Sequence, residues 1–101
     1  MTRRVPLSEA EVKKFLHAHP LWHLEGDALV RTYEAPAFLR GIKFVDQLAQ
    51  VAEAADHHPD IDIRWRKVTL RFMTHDAGNK ITALDTRLAR ECDLVFEALD
   101  G

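Results

Sequence analysis

EAADHHPDIDIRWRKVTLRFMTH, residues 53–75, joins the end of a helical pattern to two alternating segments. Apolar residues spaced three and four apart predict a helix from about 36 to 57, and Pro59 prevents it from continuing. Apolar and polar residues alternate over 61–65 and 68–72, which predicts two strands that each bury one face. The stretch therefore predicts a helix followed by a β-hairpin, with histidines at the end of each.

The sequence before this stretch predicts a shorter helix and another hairpin. Ser8-Glu-Ala-Glu11 is a capping box, in which the first and last side chains satisfy backbone amides, and it predicts a helix over roughly 9–18. Two apolar segments, 22–24 and 28–33, flank Glu25-Gly26-Asp27. Because glycine adopts the backbone angles of tight turns easily, this arrangement predicts a hairpin.

The sequence after the stretch predicts a loop and a last helix. Thr74 to Asn79 has the composition of a loop, and Thr82-Ala-Leu-Asp85 resembles a second capping box. The apolar face of the last helix consists of Leu84, Leu88, Cys92, Val95 and Leu99. The order helix, hairpin, helix, hairpin, helix predicts an α+β domain with an antiparallel sheet.

Composition limits the class of protein. A chain of 101 residues with 47% apolar and 30% charged residues predicts one globular domain over 1–101. The 14 basic and 16 acidic residues are interspersed, which disfavours nucleic acid as a direct ligand. No apolar run is long enough to cross a membrane, and the N-terminus does not read as a secretory signal. The single Cys92 excludes an internal disulfide and indicates a reducing cytoplasm.

The histidines of the stretch are candidates for acid–base chemistry, because imidazole titrates near neutral pH. Glu53 and His57 are four residues apart, so on one helix they would share a face. His58 lies beside the helix end, and His75 follows the second strand. A solvated helix cap is the simpler interpretation of the adjacent pair. A metal site is not expected, because the spacing matches no common zinc pattern.

Other residues that could carry chemistry have simpler interpretations. His17, His19 and His23 have no carboxylate set against them and are expected at the surface. Cys92 falls on the apolar face of a helix, where packing is the simpler role. Trp22 could stack on a flat ligand, but burial is the default for tryptophan.

The spacing of these residues resembles the signature of the pterin-4a-carbinolamine dehydratases. Three residues separate Glu53 from His57-His58-Pro59, five separate Pro59 from Trp65, nine separate Trp65 from His75, and Asp85 follows. The resemblance covers roughly residues 7–97. It implies a four-stranded antiparallel sheet with three helices packed on one face, in the order αββαββα, and a homodimer or homotetramer.

The resemblance also implies an activity. Members of the family dehydrate 4a-hydroxytetrahydrobiopterin to quinonoid dihydropterin, which recycles the pterin used by aromatic amino acid hydroxylases. The pterin is the substrate, and neither a metal nor a further cofactor is expected. The alternative is a non-enzymatic interaction role, because relatives act as a dimerisation cofactor of a transcription factor or assist Rubisco assembly.

Site residues follow from the resemblance by position. His57, His58 and His75 are the expected catalytic residues, with His58 and His75 favoured as proton donors or acceptors and His57 as the positioning residue. The residues expected to bind the substrate are Glu53, Asp56, Pro59, Met73, Thr74, Asp76 and Trp22, and the first two are alternatively expected to orient the histidines. One departure stands out. The chain reads Gly78-Asn79-Lys80 where the family commonly has a second glycine, and it carries one extra residue before Asp85.

Overall fold

The computed structural model describes residues 5–100, and these residues form three helices and a four-stranded antiparallel sheet. The elements are α1 (Glu9–Ala18), β1 (His23–Glu25), β2 (Ala28–Glu34), α2 (Phe38–Ala54), β3 (Asp60–Arg64), β4 (Lys67–Phe72), a short 3-10 helix (His75–Ala77) and α3 (Ala83–Asp100). Strands lie side by side in the order β1-β2-β4-β3. The predicted α+β class and the order αββαββα are confirmed.

The two central strands, β2 and β4, carry the core. Leu29 pairs with Phe72 and Tyr33 pairs with Val68, so these four buried side chains project from one face of the sheet. All three helices pack against the same buried cluster. Its helical members are Phe44, Leu48, Leu88, Ala89 and Cys92, with Val12, Phe15 and Leu16 of α1 partly buried against it.

Local sequence signals position α1 and the first hairpin as expected. The Ser8 hydroxyl accepts from the backbone amide of Glu11 at 3.1 Å, and the Glu11 carboxylate accepts from the amide of Ser8 at 2.9 Å. Gly26 has a φ of 61° in the tight turn between β1 and β2. The predicted capping box and hairpin are confirmed.

The prediction for β3 was partly wrong. All five of its residues are exposed, and Ile61 and Ile63 each retain 38% of their accessible surface. β3 is the outermost strand, so only β4 covers one of its edges. Trp65 lies in the turn with a φ of 53° and is 85% exposed. The turn comes one residue earlier than predicted, because Lys67 already pairs with Arg64.

Cys92 is a core residue, as its position on the apolar face predicted. The side chain is 2% exposed. Burial, with a smaller contribution from neighbouring carboxylates, raises the pKa of the thiol to about 12. Because the thiolate is the reactive form, the buried thiol is a poor nucleophile near neutral pH.

Candidate active site

Helix α2 ends three residues before the predicted boundary, and the way it ends positions the two adjacent histidines. The amide of Asp56 donates to the carbonyl of Glu53 at 3.0 Å, and the amide of His57 donates to that of Ala52 at 3.1 Å. Asp56 itself is left-handed, with a φ of 51°. This pair of bonds around a left-handed residue is the Schellman motif, which closes a helix and turns the chain away.

The early end of α2 overturns one prediction. Because His57 lies beyond the helix, it does not share a helical face with Glu53. Its ring turns inward and is 6% exposed, stacked at 19° to the ring of Phe72 with centroids 6.3 Å apart. The start of the helix also differs, at Phe38 rather than residue 36.

His57 is held from inside the protein by Asp85, in the first turn of α3. The His57 Nε2 atom lies 2.5 Å from the Asp85 Oδ1 atom. Because a carboxylate only accepts hydrogen bonds, Nε2 carries a proton, and Nδ1 is the nitrogen whose protonation can change.

The Asp85 carboxylate is fully buried, and its second oxygen has its own partners. Oδ2 accepts from the Thr74 hydroxyl at 2.8 Å and from the backbone amide of Thr82 at 2.9 Å. The Thr74 and Thr82 hydroxyls are also hydrogen-bonded to each other. A buried acceptor with this many donors is well satisfied, so the carboxylate forms a fixed support for His57.

His58 has the opposite environment. Its side chain is 57% exposed, and its Nε2 atom lies 2.7 Å from an oxygen of Glu53. The carboxylate that was predicted to orient His57 therefore orients its neighbour. The two adjacent histidines differ in exposure and partner, which permits different chemical roles.

His75 begins the 3-10 helix that follows β4. Its Nδ1 atom lies 2.7 Å from Oδ1 of Asn79. The intervening turn is closed by two bonds to the carbonyl of Thr74, from the amides of Ala77 and Asn79, each at 3.1 Å. Gly78 and Asn79 both adopt positive φ, at 74° and 61°. Asparagine tolerates this region better than most residues, so the turn forms without a second glycine.

The three histidines meet in one cleft of about 340 Å³, a volume suited to a small molecule. Its lining consists of Asp56, His57, His58, Pro59, Asp60, His75 and Asp76. A larger cavity of about 520 Å³, next to α1 and the first hairpin, contains no histidine. The concentration of titratable side chains marks the smaller cleft as the candidate active site.

Four residues predicted to bind substrate lie outside this lining. Trp22 is 2% exposed and donates its indole N–H to Asp93, so it belongs to the core. Thr74 is fully buried, and its hydroxyl donates a hydrogen bond to Asp85. Glu53 contacts the His58 ring, and Met73 is half-buried; neither residue lines the cleft.

Within residues 5–100, no group of three or more histidine, cysteine or acidic side chains is arranged to hold a metal ion. None of the helices in that range combines the length and apolar character that a bilayer span requires.

Comparison with known proteins decides the family. The sequence profile described as Pterin 4 alpha carbinolamine dehydratase matches residues 5–95. The chain belongs to this family. Dehydratase relatives in Roseiflexus sp. (strain RS-1) and Nocardia farcinica, both provisionally named pterin-4-alpha-carbinolamine dehydratases, are 48% and 46% identical over 90 and 87 residues. These alignments cover 89% and 86% of this chain and 96% and 90% of the relatives.

A solved structure supports the same assignment. A crystal structure from Brucella melitensis, described as a transcriptional coactivator/pterin dehydratase, superposes with a TM-score of 0.82 at 31% identity. The match covers 95% of this chain and 99% of that one. The recognised resemblance to pterin-4a-carbinolamine dehydratases is confirmed, and the fold of the family extends over nearly all of this chain.

Not every residue that supports this candidate cleft could be identified from the sequence. Asp85 was noted as part of a capping box and of the family spacing, and its contact with His57 was not foreseen. Asn79 was noted as a departure from the family, without a role. Its spacing of four from His75 was an available signal, because a short turn of that length brings two side chains together.

Proposed function

We propose that this chain removes water from 4a-hydroxytetrahydrobiopterin and releases quinonoid dihydropterin. Membership of the family supports the dehydratase class. The observation that carries the specific proposal is the meeting of His57, His58 and His75 in one cleft of small-molecule size. Each ring has a hydrogen-bonding partner on one nitrogen, which orients it for proton transfer.

The reaction requires two proton transfers. The carbon–oxygen bond at C4a breaks, and the departing hydroxyl takes a proton to become water. A proton leaves a ring nitrogen, and its electron pair forms the new double bond. We assign these transfers to His58 and His75, which are the exposed histidines of the cleft. His57 is held by Asp85 and positions the pterin.

The proposed reaction needs neither a metal nor a further cofactor. The bound pterin is the substrate, and the residues of the cleft supply the acid and the base. The enzyme that supplies the pterin substrate would be an aromatic amino acid hydroxylase, whose turnover forms the 4a-hydroxy compound. The unpaired, reduced Cys92 fits a reducing compartment such as the cytoplasm.

The activity is tested by supplying 4a-hydroxytetrahydrobiopterin generated in situ and following its loss spectroscopically. We expect the wild-type protein to accelerate dehydration and to remain active in chelator. His58→Ala and His75→Ala should each lose on the order of 10²-fold in kcat, because a positioned acid or base contributes at least that much. His17→Ala, on α1 and away from the cleft, is the matched control and should retain the wild-type rate. A wild-type rate equal to that of buffer contradicts the proposal.

A second candidate function is self-association, with or without a further protein partner. Its support is the outer strand β3, where Ile61 and Ile63 remain partly exposed and Trp65 is 85% exposed. An edge strand with exposed apolar residues is suited to pairing with another chain. We therefore propose a homodimer or homotetramer. The Brucella protein's description as a transcriptional coactivator makes a protein-interaction role the alternative to catalysis.

Self-association is tested by light scattering at micromolar concentration. We expect an assembly larger than the monomer. Ile63→Lys should shift it toward monomer, because a lysine on an edge strand opposes pairing. His17→Lys adds the same charge to α1 and should leave the mass unchanged. A wild-type monomer at all accessible concentrations contradicts this proposal and does not affect the dehydratase activity test.

A further inference from the structure

The turn that follows β4 places an amide acceptor against one nitrogen of His75. Asn79 Oδ1 lies 2.7 Å from His75 Nδ1, across a turn in which Gly78 and Asn79 are both left-handed. In this conformation the Asn79 side chain reaches back over the start of the 3-10 helix. The contact joins an exposed ring to an exposed amide, so solvent competes with it.

The backbone of the turn is well fixed. The amide of Thr74 donates to the carbonyl of Lys80 at 2.8 Å, and the amide of Asn79 donates back to the carbonyl of Thr74 at 3.1 Å. Lys80 is tied to Asp27 of the first hairpin by an ion pair of 3.0 Å. Thr74 also bonds to Asp85 through its hydroxyl. The turn that carries the side-chain amide of Asn79 is therefore held to the rest of the protein by several hydrogen bonds and an ion pair.

A carbonyl oxygen accepts and does not donate, which fixes the direction of this hydrogen bond. His75 must carry its proton on Nδ1 to make it. In the neutral ring, Nε2 then holds the lone pair. In the charged ring, Nε2 carries the additional proton. All proton exchange by His75 consequently runs through Nε2.

We propose that Asn79 is a positioning residue that selects the Nδ1–H tautomer of His75 and so directs proton transfer through Nε2. This inference rests on the proposed dehydratase function for its consequence, but the tautomer itself can be observed without substrate. Asn79 acts only through the ring. The titratable groups that share the cleft with His75 are Asp56, His57, His58, Asp60 and Asp76. Asn79 must hold the Nδ1–H tautomer of His75 in the presence of these groups.

The test compares three variants of the turn. Asn79→Gly removes the acceptor and preserves the backbone, because glycine adopts a φ near 61° without strain. Asn79→Asp keeps an acceptor oxygen at the same place. Lys80→Ala removes the neighbouring ion pair and retains Asn79, so it reports any general loosening of the turn.

The readout is the long-range proton–nitrogen spectrum of the imidazole rings in nitrogen-15-labelled protein, recorded at a pH where they are neutral. The His75 signals are assigned by their loss in His75→Gln. We expect wild type, Asn79→Asp and Lys80→Ala to show Nδ1–H at His75. Asn79→Gly should move the tautomer ratio toward Nε2–H by up to about tenfold, the effect of one ordinary hydrogen bond. The kcat of Asn79→Gly for dehydration should fall by about 3- to 10-fold.

Two results would overturn the inference. One is a wild-type His75 that is mainly Nε2–H, as expected if the Asn79 amide presents its NH₂ group to the ring. The other is an Asn79→Gly spectrum identical to that of wild type. The expected tautomers in a protein without dehydratase activity would leave the positioning by Asn79 standing and would refute the proposed function instead.

Discussion

Asp85→Asn is expected to leave the protein folded and to lower kcat for dehydration on the order of 10²-fold. The Thr82 amide and the Thr74 hydroxyl both donate to Oδ2 of the carboxylate. In the variant, the amide oxygen must stay on that side, and its NH₂ group then faces His57. A donor at this place conflicts with Nε2–H, so the His57 proton must move to Nδ1 or the contact is lost.

Steady-state kinetics and the imidazole spectrum of His57 together test this prediction. We expect a lower kcat accompanied by an Nδ1–H signal. Asp85→Ala removes the acceptor altogether and should destabilise the protein by about 2–4 kcal/mol in urea unfolding, because buried donors lose their partner. A wild-type rate in Asp85→Asn would show that the orientation of His57 does not limit the reaction.

Asp93→Ala is expected to cause the largest loss of stability of any single substitution considered, about 3–5 kcal/mol. Asp93, on α3, accepts from the indole of Trp22 at 3.0 Å, from Arg31 at 2.7 Å and from the hydroxyl of Tyr33. The side chains of Arg31 and Asp93 are both only 15% exposed. Removing the carboxylate leaves a buried cation and two further donors without their acceptor.

The hydroxyl of Tyr33 is also affected by the Asp93 carboxylate. Burial, together with the hydrogen bond to Asp93, raises the pKa of its hydroxyl above the ordinary value, so the group remains a neutral donor over the whole physiological range. Asp93 therefore joins α3 to the tryptophan before β1 and to two residues of β2.

Urea unfolding, with the slope checked for two-state behaviour, measures the loss in Asp93→Ala. Asp62→Ala is the matched control, because it removes an aspartate whose ion pair with Arg64 is exposed, and it should change stability by less than 1 kcal/mol. Since a domain of this size is stable by only about 5–15 kcal/mol, the variant should unfold at a visibly lower temperature. A loss below 1 kcal/mol would contradict the assignment of Asp93 as the central acceptor.

The regular parts of the fold were predictable because their signals are local. Alternation located β4, the apolar segment after the Gly26 turn located β2, and the Ser8 capping box located the start of α1. The end of α2 was not predictable by the same means. Ala52 and Ala55 continue the helical spacing, and nothing in that periodicity shows that Asp56 adopts a left-handed conformation. The exposure of Trp65 likewise depends on the register of β3 and β4, which pairs Arg64 with Lys67 and leaves Trp65 in the turn.

The site was predicted in its residue types and not in its contacts. Three histidines were named from chemistry and spacing, and they line one cleft. The partner of His57, however, is 28 residues away and becomes its neighbour only when α3 packs beside α2. Trp22 was assigned to the substrate only through the family resemblance, but its indole N–H donates to Asp93, and burial, the default for tryptophan, is what the structure shows.

The left-handed turn at Asp56 has a further consequence. Beyond it the chain is no longer helical, so consecutive side chains diverge, and two identical residues enter opposite environments: His57 is buried against Asp85 and His58 faces solvent beside Glu53. Which ring takes which environment depends only on counting residues from the end of α2. Inserting one residue there would move His57 to the exposed position, and deleting one would move His58 to the buried position, so this segment tolerates changes of side chain far better than changes of length.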